Sequence, residues 1–438
     1  MNGLRAAAFL LVTVLAGACT ASPSPTATPP GAPPTGLVPA SAPSTLPGSP
    51  TQSLAVLTPT TSATAPPSPT PTVATPAPSP TFGPTEAPTP ESSPAESVAP
   101  SPSVPASSNL VEVAAGGGSA DPSAGGTATD AHIEHPTGLA VAGNGIIGIV
   151  DSNAGTVLAV GPDGLIATAA AGMTGPQGMC LTFEGVAYVA ERGANRVIKI
   201  TSNGGLLAVA GSEFHADFRG DGGPAKKAYL SQPYDVACDA AGNLYIADTT
   251  NARVRFIDAQ TGTITTVAGN GTQGFAGDGG PALDAELTNP QAVAVDPAGT
   301  VLYIADYGDS HLRRVDLASG IITTVLGSGT GPVSYDPSLT ALQVAPTRLI
   351  AVALDAQGNV YVPVFFTDKG QMVMRVDPTG HLSIVAGGGT SSDIGVTPTD
   401  FRLPSIEALA IEPTTGALLI ASNDGRVYRI PGVATPTT

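Results

Sequence analysis

The segment Gly242-Asn243-Leu244-Tyr245-Ile246-Ala247-Asp248 is the centre of a pattern that occurs twice between Gln232 and Gly327. The first copy also contains Gln232-Pro233-Tyr234-Asp235-Val236-Ala237, Asn251-Ala252-Arg253-Val254 and Ile264-Thr265-Thr266-Val267-Ala268-Gly269. The second copy contains Asn289-Pro290-Gln291-Ala292-Val293-Ala294, Leu302-Tyr303-Ile304-Ala305-Asp306, Leu312-Arg313-Arg314-Val315 and Ile322-Thr323-Thr324-Val325-Leu326-Gly327. The segments are rich in alternating or β-branched residues, and Gly, Asp, Asn and Pro separate them, as in strands joined by tight turns. Four such strands predict one blade of a β-propeller, which needs neighbouring blades to cover its apolar faces.

Prolines mark where the blades begin, and they allow the repeats to be counted. They are Pro136, Pro176, Pro233, Pro290, Pro346 and Pro404. The last repeat ends at Val427-Tyr428-Arg429-Ile430 without a fourth strand, whereas Leu110–Gly116 has strand character and precedes the first repeat. We therefore predict an all-β fold: a six-bladed β-propeller with four antiparallel strands per blade, closed by an N-terminal strand in the last blade.

The N-terminus has the features of an export signal. Arg5 precedes an apolar run, Ala6–Leu15, that is too short to span a bilayer. Leu15-Ala16-Gly17-Ala18-Cys19 follows and resembles the lipobox of bacterial lipoproteins, which implies removal of residues 1–18 and acylation of Cys19. The alternative is ordinary secretion with cleavage near Ala18. We expect an exported protein that is lipid-anchored at the outer face of the cytoplasmic membrane or the cell surface.

Composition divides the rest of the chain into three parts. Residues 19–108 are almost wholly Pro, Ser, Thr and Ala, without Lys or Arg, so they cannot bury enough apolar surface to fold. We predict a disordered stalk there, followed by the propeller over residues 109–432 and a short tail over 433–438. The formal net charge of −17 excludes nucleic acid as a natural partner.

The repeats resemble NHL repeats, whose most recognisable part is Tyr-Ile-Ala-Asp followed by Asn and Arg. The links that contain Gly220-Asp221-Gly222-Gly223-Pro224-Ala225 and Gly277-Asp278-Gly279-Gly280-Pro281-Ala282 are similar to those of exported bacterial NHL proteins and teneurin-like propellers. This resemblance implies a propeller that mostly binds other molecules and carries no shared chemistry. Fold alone does not establish function.

Loop lengths indicate where a ligand would bind. The first and third connections of each blade are tight, whereas the links between blades are long and share one face with the second connections. We name this surface the link face and expect binding residues there, because long loops on a rigid scaffold usually carry them. The Gly-Asp links could use Asp221 and Asp278 to bind an ion, or their glycines could simply form a tight turn.

Acidic residues end the second strand in four consecutive blades: Asp151, Glu191, Asp248 and Asp306. One interpretation is an acidic ring that binds a cation. The other is a structural network in which each carboxylate caps its own turn and pairs with the residue that follows, Arg196, Arg253 or His311. We favour the structural network because carboxylate and partner recur together in the repeat.

Blade five departs from the repeat at Tyr361-Val362-Pro363-Val364-Phe365-Phe366. The adjacent Phe365 and Phe366 could form an exposed anchor for a partner, since aromatic residues dominate binding hot spots. Strand alternation predicts that at least one of them is buried. Cys180 and Cys238 lie on the innermost strands of neighbouring blades, and they are either a disulfide or two buried thiols.

Our functional prediction is a non-catalytic recognition or sensing module for a protein or for a cell-wall or polysaccharide ligand. We expect a monomer that contacts the membrane only through its lipid anchor and needs no cofactor. The alternative is a calcium-dependent envelope lactonase or lyase, similar to gluconolactonases, with Glu191, Asp248 and Asp306 as candidate Ca²⁺ ligands in the central channel. The sequence contains neither a nucleophile elbow nor a metal-spaced His pair to support catalysis.

Overall fold

The computed structural model describes residues 109–327, 336, 338 and 340–435. The predicted signal peptide, Cys19, the stalk and the end of the tail lie outside the described residues. No helix within the described part of the chain is both long and apolar enough to span a bilayer. The described helices are single 3₁₀ turns: Pro122–Ala124, Ala128–Asp130, Arg192–Ala194, Ala225–Lys227, Thr249–Asn251 and Ala341–Gln343.

The strands form six sheets of antiparallel strands, as predicted. The chain begins with β1 (Glu112–Gly116). Blade one contains β2 (Pro136–Val141), β3 (Ile147–Asp151), β4 (Thr156–Val160) and β5 (Ile166–Ala171). Blade two contains β6 (Pro176–Leu181), β7 (Ala187–Glu191), β8 (Arg196–Ile200) and β9 (Leu206–Gly211). Blade three contains β10 (Gly223–Pro224), β11 (Asp235–Cys238), β12 (Leu244–Asp248), β13 (Arg253–Ile257) and β14 (Thr263–Ala268).

The second half of the propeller repeats this arrangement. Blade four contains β15 (Pro290–Val295), β16 (Val301–Asp306), β17 (His311–Asp316) and β18 (Ile321–Leu326). Blade five contains β19 (Ala353–Leu354), β20 (Val360–Phe366), β21 (Gly370–Val376) and β22 (Leu382–Gly387). Blade six contains β23 (Ile406–Ile411), β24 (Leu418–Ser422) and β25 (Arg426–Ile430). Blade three has a fifth, outer strand because β10, part of the preceding link, pairs with β14.

Strand β1 closes the ring, which confirms the predicted N-terminal closure. It pairs antiparallel with β25 and supplies the outer strand of blade six. Gly116 ends this strand at φ +81°, where a Cβ atom would lie 2.0 Å from the carbonyl oxygen of Gly425. Only glycine fits this contact, because it combines a left-handed backbone with a close approach of the neighbouring turn.

Apolar side chains fill the contacts between neighbouring blades. The described residues form six buried clusters, and each cluster joins the sheets of adjacent blades around the ring. Between blades six and one, for example, Leu419 packs in the same cluster as Ile149. The sequence has no Trp, and the clusters consist mainly of Ala, Val, Ile and Leu. This continuous packing gives the link face a rigid support.

Candidate functional site

The four repeated carboxylates are buried inside their blades. Asp151, Glu191, Asp248 and Asp306 each accept a hydrogen bond from the backbone N–H of a residue 17 or 18 positions upstream, where the link enters the blade. For example, Ser231 N–H donates to Asp248 Oδ1 at 2.7 Å. Each carboxylate therefore fastens the incoming link to the end of the second strand. This geometry favours the structural interpretation over an open acidic ring.

The arginine partner of Asp248 differs from the sequence prediction. Arg255, and not Arg253, donates to Asp248 Oδ2 at 3.2 Å, and its Nη2 lies 2.6 Å from Asp221 Oδ1. Arg253 instead donates to the carbonyl oxygens of Asn251 and Asn270, and its guanidinium stacks on the ring of Phe218 in the link before blade three. In blade two the prediction agrees with the geometry, because Arg196 Nε donates to Glu191 Oε2.

Blade four contains a related network around Arg313. The guanidinium of Arg313 lies 3.4 Å from Asp278, and Phe275 stacks over it with its ring centre 4.8 Å away. The predicted pair of His311 with Asp306 is replaced by another contact. The Nδ1 atom of His311 lies 3.1 Å from an oxygen of Asp309. Burial, helped by the nearby Asp309 charge, raises the pKa of Asp306 to about 6.

The two candidate binding carboxylates of the Gly-Asp links are therefore engaged within the fold. Asp221 pairs with Arg255 and also accepts a hydrogen bond from the Thr266 hydroxyl at 2.6 Å. Asp278 pairs with Arg313 and accepts from the Thr324 hydroxyl at 3.1 Å. Both fix a link against the next blade, a geometry that favours the turn over an ion site.

The predicted calcium ligands do not converge on one point. Glu191, Asp248 and Asp306 belong to three different blades, and each is fully buried with donors from its own blade. Within the described ranges, no group of three or more His, Cys, Asp or Glu side chains could hold a metal ion. The donor set named for a calcium enzyme therefore does not fit Ca²⁺, which needs six to eight oxygen ligands around one centre.

Cys180 and Cys238 form a disulfide between the innermost strands of blades two and three. Their Cα atoms lie 5.9 Å apart, a separation that a disulfide ordinarily spans. Sequence reasoning left this pairing open because it could not supply that distance.

The innermost strands of all six blades enclose a narrow central channel with a cavity of about 210 Å³. Most of the residues that line it have apolar side chains, and Asp235 and Glu407 are the acidic residues among them. Asp235 lines this cavity and accepts hydrogen bonds from the N–H groups of Val236 and Val293. Burial raises the pKa of Asp235 to about 7, against a smaller lowering by these two hydrogen bonds. Because both oxygens already accept backbone hydrogens, Asp235 fastens blade three to blade four.

A larger pocket opens on the link face between blades five and six. It has a volume of about 560 Å³, within the range of small-molecule sites. We name it the blade 5–6 pocket. Its lining consists of Arg348, Phe365, Thr367, Asp368, Lys369, Gly370, Gln371, Gly388, Gly389, Arg402, Leu403, Pro404 and Ser405. These residues come from two links and from the second connection of blade five, the loops in which we expected binding residues.

The two phenylalanines of blade five have opposite environments. Phe366 is completely buried, whereas Phe365 is 36% exposed and lines the blade 5–6 pocket. The strand alternation that predicted this split also places Val364 where blade three has Asp248. Without a carboxylate there, β20 continues through both phenylalanines, and Phe365 forms a bridge to Thr347 of the incoming link.

Sequence reasoning missed the basic residues of this pocket. Arg348, Lys369 and Arg402 line it and are exposed, but they are far apart in the sequence and belong to no repeated motif. Arg348 also has φ +62°, a left-handed backbone that is costly for an arginine. Only the fold brings these three cations together beside Phe365.

Comparisons with known proteins agree with this architecture. Residues 271–435 match the teneurin NHL domain family. The propeller is built of NHL repeats. Teneurin-3 of Mus musculus is 26% identical to the chain over 286 residues, which cover 59% of this chain and 10% of that protein. The Arabidopsis thaliana protein SUPPRESSOR OF QUENCHING 1, chloroplastic, is also 26% identical, over 51% of this chain and 23% of its own length.

The chain thus spans less than a quarter of either curated relative. Among solved structures, a protein of unknown function from Bacteroides thetaiotaomicron aligns with a TM-score of 0.55 at 18% identity. That alignment covers 74% of this chain and 75% of the other. At this identity the likeness supports the β-propeller fold alone.

Proposed function

We propose that the NHL propeller is a non-catalytic binding module that holds a protein or cell-envelope ligand on its link face. The blade 5–6 pocket is the observation that carries this proposal. It combines a ligand-sized concavity with the exposed aromatic ring of Phe365, and binding sites are typically such clefts with an aromatic wall and a few polar groups.

We further propose that the module is exported and lipid-anchored through Cys19, with residues 19–108 as a stalk. The lipobox-like segment and the composition of the stalk support this location. Cell fractionation tests it. Wild type should be found with membranes, whereas the Cys19→Ser variant should become soluble outside the cytoplasm. Membrane retention of that variant would contradict the lipid anchor.

Co-sedimentation of the full chain with insoluble cell envelopes tests the binding function. Phe365→Ser should reduce co-sedimentation without changing the midpoint of thermal unfolding, because the ring is partly exposed. Phe183→Ser is the matched control, since Phe183 is 73% exposed on a first connection, on the opposite face of the propeller. Equal binding by both variants would contradict the proposed site.

The non-catalytic part of the proposal has its own test. A panel of lactones should show no turnover by the full chain, with or without added Ca²⁺. Calcium-dependent turnover that survives Phe365→Ser would contradict a pure binding module and would support the lactonase alternative.

A further inference from the structure

We propose that the blade 5–6 pocket binds an anionic saccharide chain, one that carries phosphate or carboxylate groups, through Arg348, Lys369 and Arg402. This inference rests on the proposed binding function and specifies the ligand of the same site. The first observation is the local charge. The pocket lining contains three cations and one carboxylate, that of Asp368, so its formal charge is 3 − 1 = +2, in a protein whose net charge is −17.

Six arginines of the described propeller are held in ion pairs, whereas these three cations are not. Ion pairs within the described residues involve Arg196, Arg255, Arg313, Arg314, Arg426 and Arg429, and none of them involves a basic residue of the pocket. Their side chains line an open concave pocket. An anion that enters it would gain charge-assisted hydrogen bonds without breaking an existing pair.

The overall negative charge does not prevent such binding. At physiological ionic strength, interactions between exposed charges fade beyond about 8 Å, so a ligand in the pocket senses mainly the nearby cations. The remaining acidic surface would instead repel anions that do not fit the pocket. Local attraction and distant repulsion together favour a ligand whose charges match the pocket.

The repeat fixes the backbone that presents Arg348 to the pocket. Its φ of +62° is unfavourable for any residue except glycine or, less so, asparagine and aspartate. Arg348 sits where the fourth link enters blade five, beside the bridge between Thr347 and Phe365. Gly175 and Gln232 occupy the same position before the first strand of blades two and three, and they also have positive φ, at +55° and +48°. The conformation therefore belongs to the repeat, and blade five differs in placing a cation on it, at the edge of the pocket.

The rest of the lining suits a sugar. Phe365 offers a flat apolar surface for the C–H groups of a pyranose ring, and Thr367, Gln371 and Ser405 offer hydrogen-bonding groups for hydroxyls. The backbone hydrogen bonds of the described residues use neither the Gly388 nor the Gly389 N–H as a donor. Both glycines line the pocket and could donate to an anion.

The experiment compares binding of the full chain to polymers that share one backbone: dextran phosphate, carboxymethyl dextran and neutral dextran. Polyglutamate provides the same type of charge on a peptide. We expect measurable binding to at least one anionic dextran, weakened by added salt. Preference for dextran phosphate would indicate a phosphate-bearing ligand, and preference for carboxymethyl dextran would indicate an acidic sugar; either result supports the proposal.

Two variants assign the binding to the pocket. The triple variant Arg348→Gly, Lys369→Gln and Arg402→Gln should weaken it by about tenfold or more, which corresponds to roughly 1.4 kcal/mol. Arg348→Gly alone removes the charge while relieving the backbone, so its loss of affinity cannot be ascribed to misfolding. The control Lys226→Gln with Lys227→Gln removes two exposed charges of the link before blade three and should change the affinity less than about twofold.

Each contrary result separates this inference from the proposed function. If neutral dextran binds as tightly as the anionic dextrans, and Phe365→Ser weakens that binding, the anionic ligand is ruled out. The proposed binding module would remain supported. Tighter binding of polyglutamate than of either anionic dextran would overturn the saccharide. If no polymer binds and Phe365→Ser does not affect binding to envelopes, both proposals fail.

Discussion

Arg255 Nη1 lies 3.2 Å from Asp248 Oδ2, and both side chains are fully buried. The same guanidinium reaches Asp221 of the preceding link, so one arginine joins the link, the second strand and the third strand of blade three. A buried charge of this kind is destabilising when its partner is removed, because it cannot be solvated by water. The stability of blade three therefore depends on keeping Arg255 and its two carboxylate partners together.

The variant Arg255→Met should lower the free energy of unfolding by about 3–5 kcal/mol, because it leaves Asp248 as a buried, unpaired carboxylate. Denaturation in urea measures this change. Arg253→Met is the matched control and should cost about 1 kcal/mol, since it removes only exposed or half-buried contacts of Arg253. An equal loss in both variants would contradict the assignment of Arg255 as the partner.

Blade five suggests how the same position can work without charge. In the strand register, Val364 is the equivalent of Asp248, and Met374 is the equivalent of Arg255. Two apolar residues therefore occupy the positions of the ion pair. The double variant Asp248→Val with Arg255→Met should therefore be more stable than Arg255→Met alone, as replacing a whole buried ion pair is often tolerated. Double-variant stability below that of the single variant would contradict this reasoning.

Closure by β1 gives a second prediction. Gly116→Ala should cost about 1–3 kcal/mol more than Gly164→Ala, because both glycines have positive φ but only the former would place its Cβ against Gly425. Deletion of residues 109–116 should lower the denaturation midpoint of the whole domain in a single transition. A separate early transition confined to blade six would contradict cooperative closure.

The repeat made the fold predictable from sequence, and departures from the repeat made the site harder to predict. The prolines and the missing last strand indicated six blades and the closing strand because each blade carries the same turn chemistry. The choice between Arg253 and Arg255 was not predictable, since residues two apart on a strand project from the same face. The register sets Asp248 opposite Arg253, yet the ion pair forms diagonally with Arg255.

The blade 5–6 pocket shows the same limit more strongly. Alternation predicted that one of Phe365 and Phe366 is buried, but it could not say which, because the end of β20 was not defined by the usual Asp. Arg348, Lys369 and Arg402 come from three loops and meet only through the packing of two blades. A search for basic residues flanking the one irregular blade is the signal that could have found them.

The disulfide gives a third prediction. Cys180 and Cys238 are 58 residues apart in sequence, and a crosslink of that span stabilises a fold by about 4 kcal/mol in the chain-entropy view. Thiol labelling of the denatured, unreduced Cys19→Ser chain should detect no free cysteine, and reduction should expose two. Cys238→Ser should lower the urea midpoint about as much as reduction of the wild-type protein does. Two labelled thiols without reduction would contradict the bond.

Asp235 makes a fourth prediction, on pH dependence. Its pKa is raised from 3.8 to about 7 by burial at the channel, so the folded protein keeps this proton at pH values where the unfolded chain has lost it. Between about pH 4 and pH 7 the folded state binds more protons, and the contribution of this group to the free energy of unfolding falls as the pH rises. Above about pH 7 both states are ionised and the contribution is constant.

The variant Asp235→Asn isolates this effect, since the amide has nearly the same shape and does not titrate. Urea denaturation at pH 5 and pH 8 should show that wild type loses more stability than the variant on going to pH 8. Glu184→Gln is the control, because Glu184 is exposed and its removal should leave the pH dependence of wild type unchanged. A pH-independent difference between wild type and Asp235→Asn would contradict a folded-state pKa of Asp235 between pH 5 and pH 8.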